Sequence, residues 1–325
     1  MTLPRRVFLQ LAAATAALPA VATFARAQSY PTRPVRLVVG YAPGGVTDIS
    51  ARLMGAQLSE RLGQSFVIEN RPGASSNIAT GAVARAAPDG YTLLLASTSN
   101  AYNATLYDKL DFNFIRDLAP VASIGRDAFI LAANPAFTAT TVPELIAYAK
   151  ANPGKVNMGS SGPGSASAMY GELFKVMAGV DLLTVHYRSV GPALPDLMSG
   201  RVDVMFAPVA SVVGYVKSGK LRPLGVTTAA RVTALPDVPP IGDFVPGYEG
   251  TGWVGICAPA KTPPDVIAIL NKEVNAALAD PAFKTRLEEL GAEPFAGSPA
   301  EFGAFIAEFT EKWGKVIRAA GIKGE

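Results

Sequence analysis

One cysteine, Cys257, and one histidine, His186, stand in a chain of 325 residues. A lone cysteine cannot close an internal disulfide or supply a thiolate cluster for zinc. A lone histidine leaves any histidine-based triad or metal site resting on one side chain. Charged residues are scarce at 17% and apolar residues make up 49%, which excludes a disordered chain and a highly charged coiled coil. No G-x-S-x-G elbow, Walker phosphate loop or H-E-x-x-H motif occurs. Repeats of solenoid period and low-complexity tracts are also missing. The 26 prolines and 31 glycines carry no triplet period, so collagen is excluded and many short elements joined by turns are expected.

The net charge of +3 raises the question of nucleic acid or a membrane surface. Arg5, Arg6 and Arg26 account for the whole excess, because residues 1–27 hold no acidic residue. The remainder carries 26 charges of each sign, so no compositional case for nucleic acid survives. Arg5-Arg6 precede an apolar run, Val7–Leu18, and the segment closes on Ala25-Arg26-Ala27, the small-x-small pattern of a cleavage site. The run is shorter than the roughly 20 residues a bilayer demands. A removable export signal is therefore expected over 1–27, through the general secretory route or, given Arg5-Arg6, the twin-arginine route. No later stretch reaches transmembrane length, so the exported chain is expected to be soluble and periplasmic.

After the signal the patterning alternates between strand and helix. Val35–Gly40 predicts a buried strand, Ile49, Leu53, Leu58 and Leu62 a helix ended by Gly63, and Phe66–Ile68 a strand. A helix near Ile78–Ala86 and a buried strand at Tyr91–Ala96 follow. The middle of the chain repeats the plan, with strands expected at Lys155–Met158, Leu182–Tyr187 and Val202–Phe206. Helices are expected between them, carrying Met169, Leu173 and Met177 on one face and then covering Ala193–Met198. Two α/β halves of similar plan are thus predicted. Val266, Leu270, Val274 and Leu278 mark a later helix, and Ser298-Pro299-Ala300-Glu301 is a capping box opening the last one. Phe302, Phe305, Phe309, Trp313 and Val316 form a core stripe on it, expected to return to the first half. The chain would then cross between domains near Ala122–Ala132 and near Gly250–Ala258.

Gly250-Thr251-Gly252-Trp253-Val254-Gly255 matches the dinucleotide pattern, but the run Ile256-Cys257-Ala258-Pro259 after it reads as a strand and not a helix. It is a decoy, and no cofactor is expected. Cys257 in that run is a small core residue. More informative are two glycine-rich turns leaving strands and entering helices: Tyr41-Ala42-Pro43-Gly44-Gly45-Val46-Thr47 and Ser161-Gly162-Pro163-Gly164-Ser165-Ala166. Glycine lets backbone approach a ligand, and the N–H groups at a helix start attract anions. Neither turn carries Lys or Arg, which suits a carboxylate held by neutral donors better than a polyphosphate. Thr47 and Ser165 are expected to add hydroxyl donors. Ser97, Thr98 and Asn100 end the third strand, at the edge where open α/β sheets bind ligands. Asp203 either meets a ligand amine or water or forms a turn. His186, inside a predicted strand, reads as structural on its position alone.

Those residues give the chain a specific resemblance to the Bug family, the extracytoplasmic solute-binding proteins of tripartite tricarboxylate transporters. The matching stretches include Pro43-Gly44-Gly45-Val46-Thr47-Asp48, Glu69-Asn70-Arg71-Pro72-Gly73-Ala74, Pro88-Asp89-Gly90-Tyr91-Thr92, Gly200-Arg201-Val202-Asp203 and Leu235-Pro236-Asp237-Val238-Pro239. The resemblance implies a type II periplasmic binding protein fold, two similar α/β domains joined by a two-strand hinge with a cleft between them. Residues 28–127 with 250–325 would form one domain and 128–249 the other. It also implies a non-enzymatic, monomeric protein that closes on a small organic acid, a mono-, di- or tricarboxylate, aromatic acid or acidic amino acid. Membrane transporter subunits would receive it, with no metal or cofactor involved. The family's carboxylate-holding positions carry over to Gly44, Gly45 and Thr47 and to Ser161, Gly164, Ser165 and Ala166. Departures occur at Val185-His186-Tyr187-Arg188-Ser189, where the family has Val-Pro-Tyr-Lys-Gly, and at Ser75-Ser76, where it has glycines. Pro240-Ile241-Gly242-Asp243 likewise replaces the family's Pro-Thr-x-x-Glu. The first of these brings His186 toward the distal end of the ligand. Other roles for the same cleft are presenting a ligand to a membrane sensor, or hydrolase or isomerase chemistry by Asp203 and His186.

Overall fold

The computed structural model describes residues 30–322 except 108, 290 and 320, so the expected export signal lies outside the described residues. Val35–Val39 (β1) is buried at four of five positions, as a parallel strand covered on both faces must be. The glycine-rich turn leads into Val46–Leu62 (α1), which stops at Gly63 in the left-handed conformation. Phe66–Asn70 (β2), Asn77–Ala84 (α2), Thr92–Ser97 (β3) and Thr98–Leu106 (α3) complete a unit in which β1 pairs in parallel with β2 and β3.

A short helix, Phe114–Asp117 (α4), precedes the longest strand, Leu118–Ala133 (β4), and Val142–Ala151 (α5) follows it. The second unit then repeats the first: Asn157–Ser160 (β5), Ala166–Ala178 (α6), Leu183–His186 (β6), Val190–Ser199 (α7), Val204–Pro208 (β7) and Val209–Lys217 (α8). β5 pairs in parallel with β6 and β7. Arg222–Val226 (β8) and Thr251–Pro259 (β9) lead to Pro264–Ala279 (α9), Pro281–Glu289 (α10), Ala292–Pro294 (β10) and Pro299–Ala319 (α11).

Across the sheet the order is β2-β1-β3-β9-β4-β7-β5-β6, with β8 and β10 also pairing β4. Each half is a parallel triad flanked by one antiparallel strand, β9 beside β3 and β4 beside β7. β4 belongs to both halves. Its Leu118–Ala128 portion pairs with β9, and Phe129–Ala133 pairs with β7. Two register shifts against β9 bend the strand along the way.

Several elements start later than their sequence patterns predict. β5 begins at Asn157 and not Lys155, and β7 at Val204 and not Val202. Asp203 meets the first residue of β5: its carboxylate accepts the Asn157 N–H at 2.7 Å and its N–H donates to Asn157 C=O, one residue before Met158 and Val204 pair. α7 runs four residues further in all than expected, over Val190–Ser199 with Pro195 inside it.

The aromatic stripe of α11 does more than return to the first half. Phe302 and Ile306 pack with Trp253 and Cys257, but Trp313 and Ile317 join the core of the second half, with Tyr170, Phe174 and Phe206. Trp313 meets Tyr102 edge-on at 4.9 Å, and Tyr170 lies 5.7 Å away. The helix is long enough, ~30 Å, to serve both cores.

Candidate functional site

In both parallel triads the chain enters a helix at the C-terminal edge of the strand, so the helix N-termini gather on one side of the sheet. A cavity lies there, where the halves meet. Five helix starts supply much of its wall: Gly45, Val46 and Thr47 of α1, Ser97, Thr98 and Ser99 of α3, Ser165 and Ala166 of α6, Ser189 and Val190 of α7, and Pro208 before α8. Each start leaves its first N–H groups without an intrahelical partner and carries about half a positive charge. The lining contains no Lys, Arg or His. The site is thus electropositive through dipoles, which suits a small anion.

The first turn is held from behind. Asp48, buried at the start of α1, accepts the Gly44 N–H, Arg52 Nε and Asn70 Nδ2, each at 3.0 Å. Burial opposes its charge, but the hydrogen bonds from Arg52, Gly44 and Asn70 prevail and keep the carboxyl below its ordinary range. Asn70 Nδ2 also reaches Tyr41 C=O, and Tyr41 Oη shares a 2.5 Å hydrogen bond with Ser99 Oγ. Asp48 and Asn70 therefore shape the turn from outside the cavity wall.

In the second turn Ser165 caps α6. Its hydroxyl donates to Gly162 C=O at 2.7 Å and accepts the Ala168 N–H at 3.2 Å. This turn closely approaches the turn before α2 in the other half: Gly164 N–H donates to Ser75 Oγ at 3.1 Å, and a Cβ on Gly164 would collide with Asn103 Oδ1. Ser75 and Ser76 sit at φ of +49° and +76°. Left-handed serine is strained, and here the strained residue supplies the contact between halves.

The structure brings Tyr41, Gly45, Val46, Thr47, Ser97, Thr98, Ser161, Ser165 and Ala166 onto one wall. Ala42, Pro43, Gly44, Asn100, Gly164, His186 and Asp203 are not part of it. Asn100 faces inward, accepting the Ser97 N–H at 2.8 Å and donating to Thr80 Oγ1 at 2.7 Å. Tyr41 and Ser161 also border an outer vestibule lined by Pro72–Ser75, Gly162, Pro163, Tyr187 and Arg188. His186 ends β6 next to that vestibule and shares a 2.5 Å hydrogen bond with Ser160 Oγ. Asp203 lies before the first residue of β7, while Pro208 at the other end of that strand lines the cavity. Asp203 is beside Asn157 and His186 beside Ser160, about 10 Å further along β5 and on its opposite flank. The two are not brought together.

One wall residue carried no sequence signal beyond being an acid in an apolar run. Asp127, on β4, is 3% exposed and lines the cavity. Its Oδ1 has no hydrogen-bond partner among the described residues, and burial pushes the carboxyl up to about 7. Phe129, Ser189, Pro208, Gly252 and Trp253 also join the wall without having been anticipated. The Gly250–Gly255 decoy runs into β9, where Thr251–Gly255 pair with β4.

The family described as tripartite tricarboxylate transporter family receptor matches residues 50–322. BugT of Bordetella pertussis is 35% identical over 300 residues, covering 91% of this chain and 92% of BugT. Among solved structures, Rpa4515 of Rhodopseudomonas palustris, determined with adipate, superposes with a TM-score of 0.89 at 38% identity, over 91% of this chain and all (100%) of that one. MatC from Rhodopseudomonas palustris, determined with bound malate, gives a TM-score of 0.85 at 32% identity, over 89% of this chain and 100% of MatC. The chain belongs to the tripartite tricarboxylate transporter receptor family, as a solute-binding protein of the Bug type.

Proposed function

We propose that the protein captures a small organic carboxylate in the periplasm and delivers it to a tripartite tricarboxylate-type transporter, without chemical conversion. The convergence of five helix N-termini on a cavity with no basic side chain supports this most directly. The adipate and malate found in two relatives are small carboxylates of the kind such a cavity suits. Among the described residues no helix is long and apolar enough to cross a membrane.

Residues 28–127 with 250–325 act as one lobe and 128–249 as the other, with β4 and β9 running at their junction. The ligand touches both lobes only when they are closed, so its differential affinity shifts the population toward closure. Closure is read by small-angle scattering, where saturating ligand should shrink the radius of gyration. A profile unchanged by ligand would remove lobe closure from the mechanism. The ligand class is read by thermal shift with mono-, di- and tricarboxylates, aromatic acids and acidic amino acids. A true ligand at a hundred times its dissociation constant stabilises by about 2.7 kcal/mol. A panel in which neutral sugars shift the melting point and carboxylates do not would refute the carboxylate reading.

A further inference from the structure

Asp127 is the single acidic side chain on the cavity wall. Gly252 stands opposite it in the β4–β9 register and offers no side chain to cover it; a Cβ there would sit 3.3 Å from Asp127 Cβ and 2.8 Å from the Phe129 ring. Asp127 is buried on the cavity wall, and its Oδ1 has no hydrogen-bond partner among the described residues. The other polar wall groups are helix-start N–H groups, hydroxyls and the Trp253 indole. We propose that Asp127 determines specificity by pairing with a protonated nitrogen on the ligand, so that the preferred ligands are small amino carboxylates.

This deepens the proposed function and rests on it, because the helix starts take the ligand's carboxylate while Asp127 takes its other end. A buried carboxylate needs both a donor and a compensating charge. A ligand ammonium supplies both, whereas a hydroxyl supplies only the donor. A second ligand carboxylate would set two like charges together in a cavity whose wall has no basic group. The groups around Asp127 leave it to titrate alone near neutrality. Tyr41 and Tyr170 are buried and held far above neutral pH by desolvation, and Tyr102 hydrogen-bonds Tyr170. Arg126, the preceding residue, lies over the Phe295 and Phe305 rings. On α1, Asp48 is paired with Arg52.

An ammonium ligand requires ionised Asp127, so binding expels the proton that burial retains, and affinity rises with pH. Calorimetry with 4-aminobutanoate, glutamate, glutarate and butanoate, near pH 6 and near pH 8 and in two buffers of different ionisation enthalpy, separates the cases. The expected result is tighter binding of an amino carboxylate than of its matched acid, with release of about one proton near pH 6. Asp127→Asn should weaken that ligand about tenfold or more and abolish the pH dependence, while leaving glutarate unaffected or improved. Asp127→Ser, checked for folding by its melting curve, should behave alike. Glutarate binding tightest with proton uptake, or an amino preference that survives both substitutions, overturns the role of Asp127. Carboxylates failing to bind at any pH would instead overturn the carboxylate function, and this inference with it.

Discussion

Ser75 Oγ accepts the Gly164 N–H at 3.1 Å, joining the turn before α2 in one half to the turn before α6 in the other. The contact exists because Gly164 has no side chain, since a Cβ would strike Asn103 Oδ1 and sit 3.3 Å from Leu106 Cδ1. Gly164→Ala is therefore a wedge against closure. Ligand affinity should fall about tenfold or more, equivalent to about 1.4 kcal/mol. The unliganded melting temperature should hold or rise slightly, because alanine restricts the unfolded chain. Calorimetry and scattering together check this: unaltered affinity with normal compaction would show that the halves never approach this closely.

Ser75 carries a backbone cost that glycine would not. At φ +49° and ψ 50° a serine gives up about 1 kcal/mol relative to glycine. Ser75→Gly should leave the unliganded protein as stable or slightly more so, yet weaken ligand binding by about 1 kcal/mol through the lost inter-half hydrogen bond. Ser75→Ala retains the strain and loses the same bond, so its affinity should match the glycine variant while its melting temperature lies lower. Equal melting temperatures for the two would show that the left-handed backbone is not what distinguishes them.

Under the proposed lobe closure, Asp127 should make closure pH-sensitive. Its carboxyl titrates at about 7 when buried, against an ordinary value of about 3.9 when solvated. Between those values the closed form retains a proton that an open or unfolded form releases, so closed-state stability falls as pH rises through that window and is flat outside it. The full effect approaches about 4 kcal/mol above pH 8. Asp127→Asn should remove the slope and stabilise the ligand-free closed form at alkaline pH. Melting curves and scattering near pH 5 and near pH 8 measure both, and a slope that persists in the variant would assign it to another group.

Asp48 has the opposite sign. Burial works against its charge, but Arg52, Gly44 N–H and Asn70 hold the carboxyl below its ordinary range. Its contribution is complete above the ordinary carboxylate pKa and is lost as pH falls through the lower folded value. Asp48→Asn should loosen the Tyr41–Gly45 turn, lowering both melting temperature and affinity at neutral pH, with a difference from the wild type that shrinks in acid. A variant with normal affinity would remove Asp48 from the support of the cavity.

The two-half plan was legible because each buried strand is a compact apolar run and each connecting turn is marked by glycine or proline, as at Val35–Gly45 and Met158–Ala166. The two glycine-rich turns were legible for the same reason. What escaped was anything set by long-range register. Asp127 faces the cavity only because β4 pairs with β9 so as to place Gly252 opposite, a relation between residues 125 positions apart. The role of α11 was half-read: its stripe gives burial, but not that Trp313 would reach the second core while Phe302 stays in the first. Asp203 was ambiguous because a turn-forming carboxylate and a ligand-facing one have the same local sequence, and only its bond to Asn157 N–H tells where it points.

The two hydroxyls expected to meet the carboxylate should separate on substitution. Ser165 is engaged at both ends, donating to Gly162 C=O and accepting the Ala168 N–H. Ser165→Ala removes an N-cap and should cost about 1 kcal/mol of stability, with a smaller effect on affinity. Thr47, the second residue of α1, is buried on the cavity wall, and the cap of that helix is Gly45, which needs no side chain. Thr47→Ala should therefore leave the melting temperature near the wild-type value and weaken carboxylate binding by about 1–3 kcal/mol. Thermal melts paired with calorimetry decide the matter. If Thr47→Ala lowers stability and spares affinity, the carboxylate is held by the backbone N–H groups of the helix starts alone, and the hydroxyl at position 47 has no part in binding.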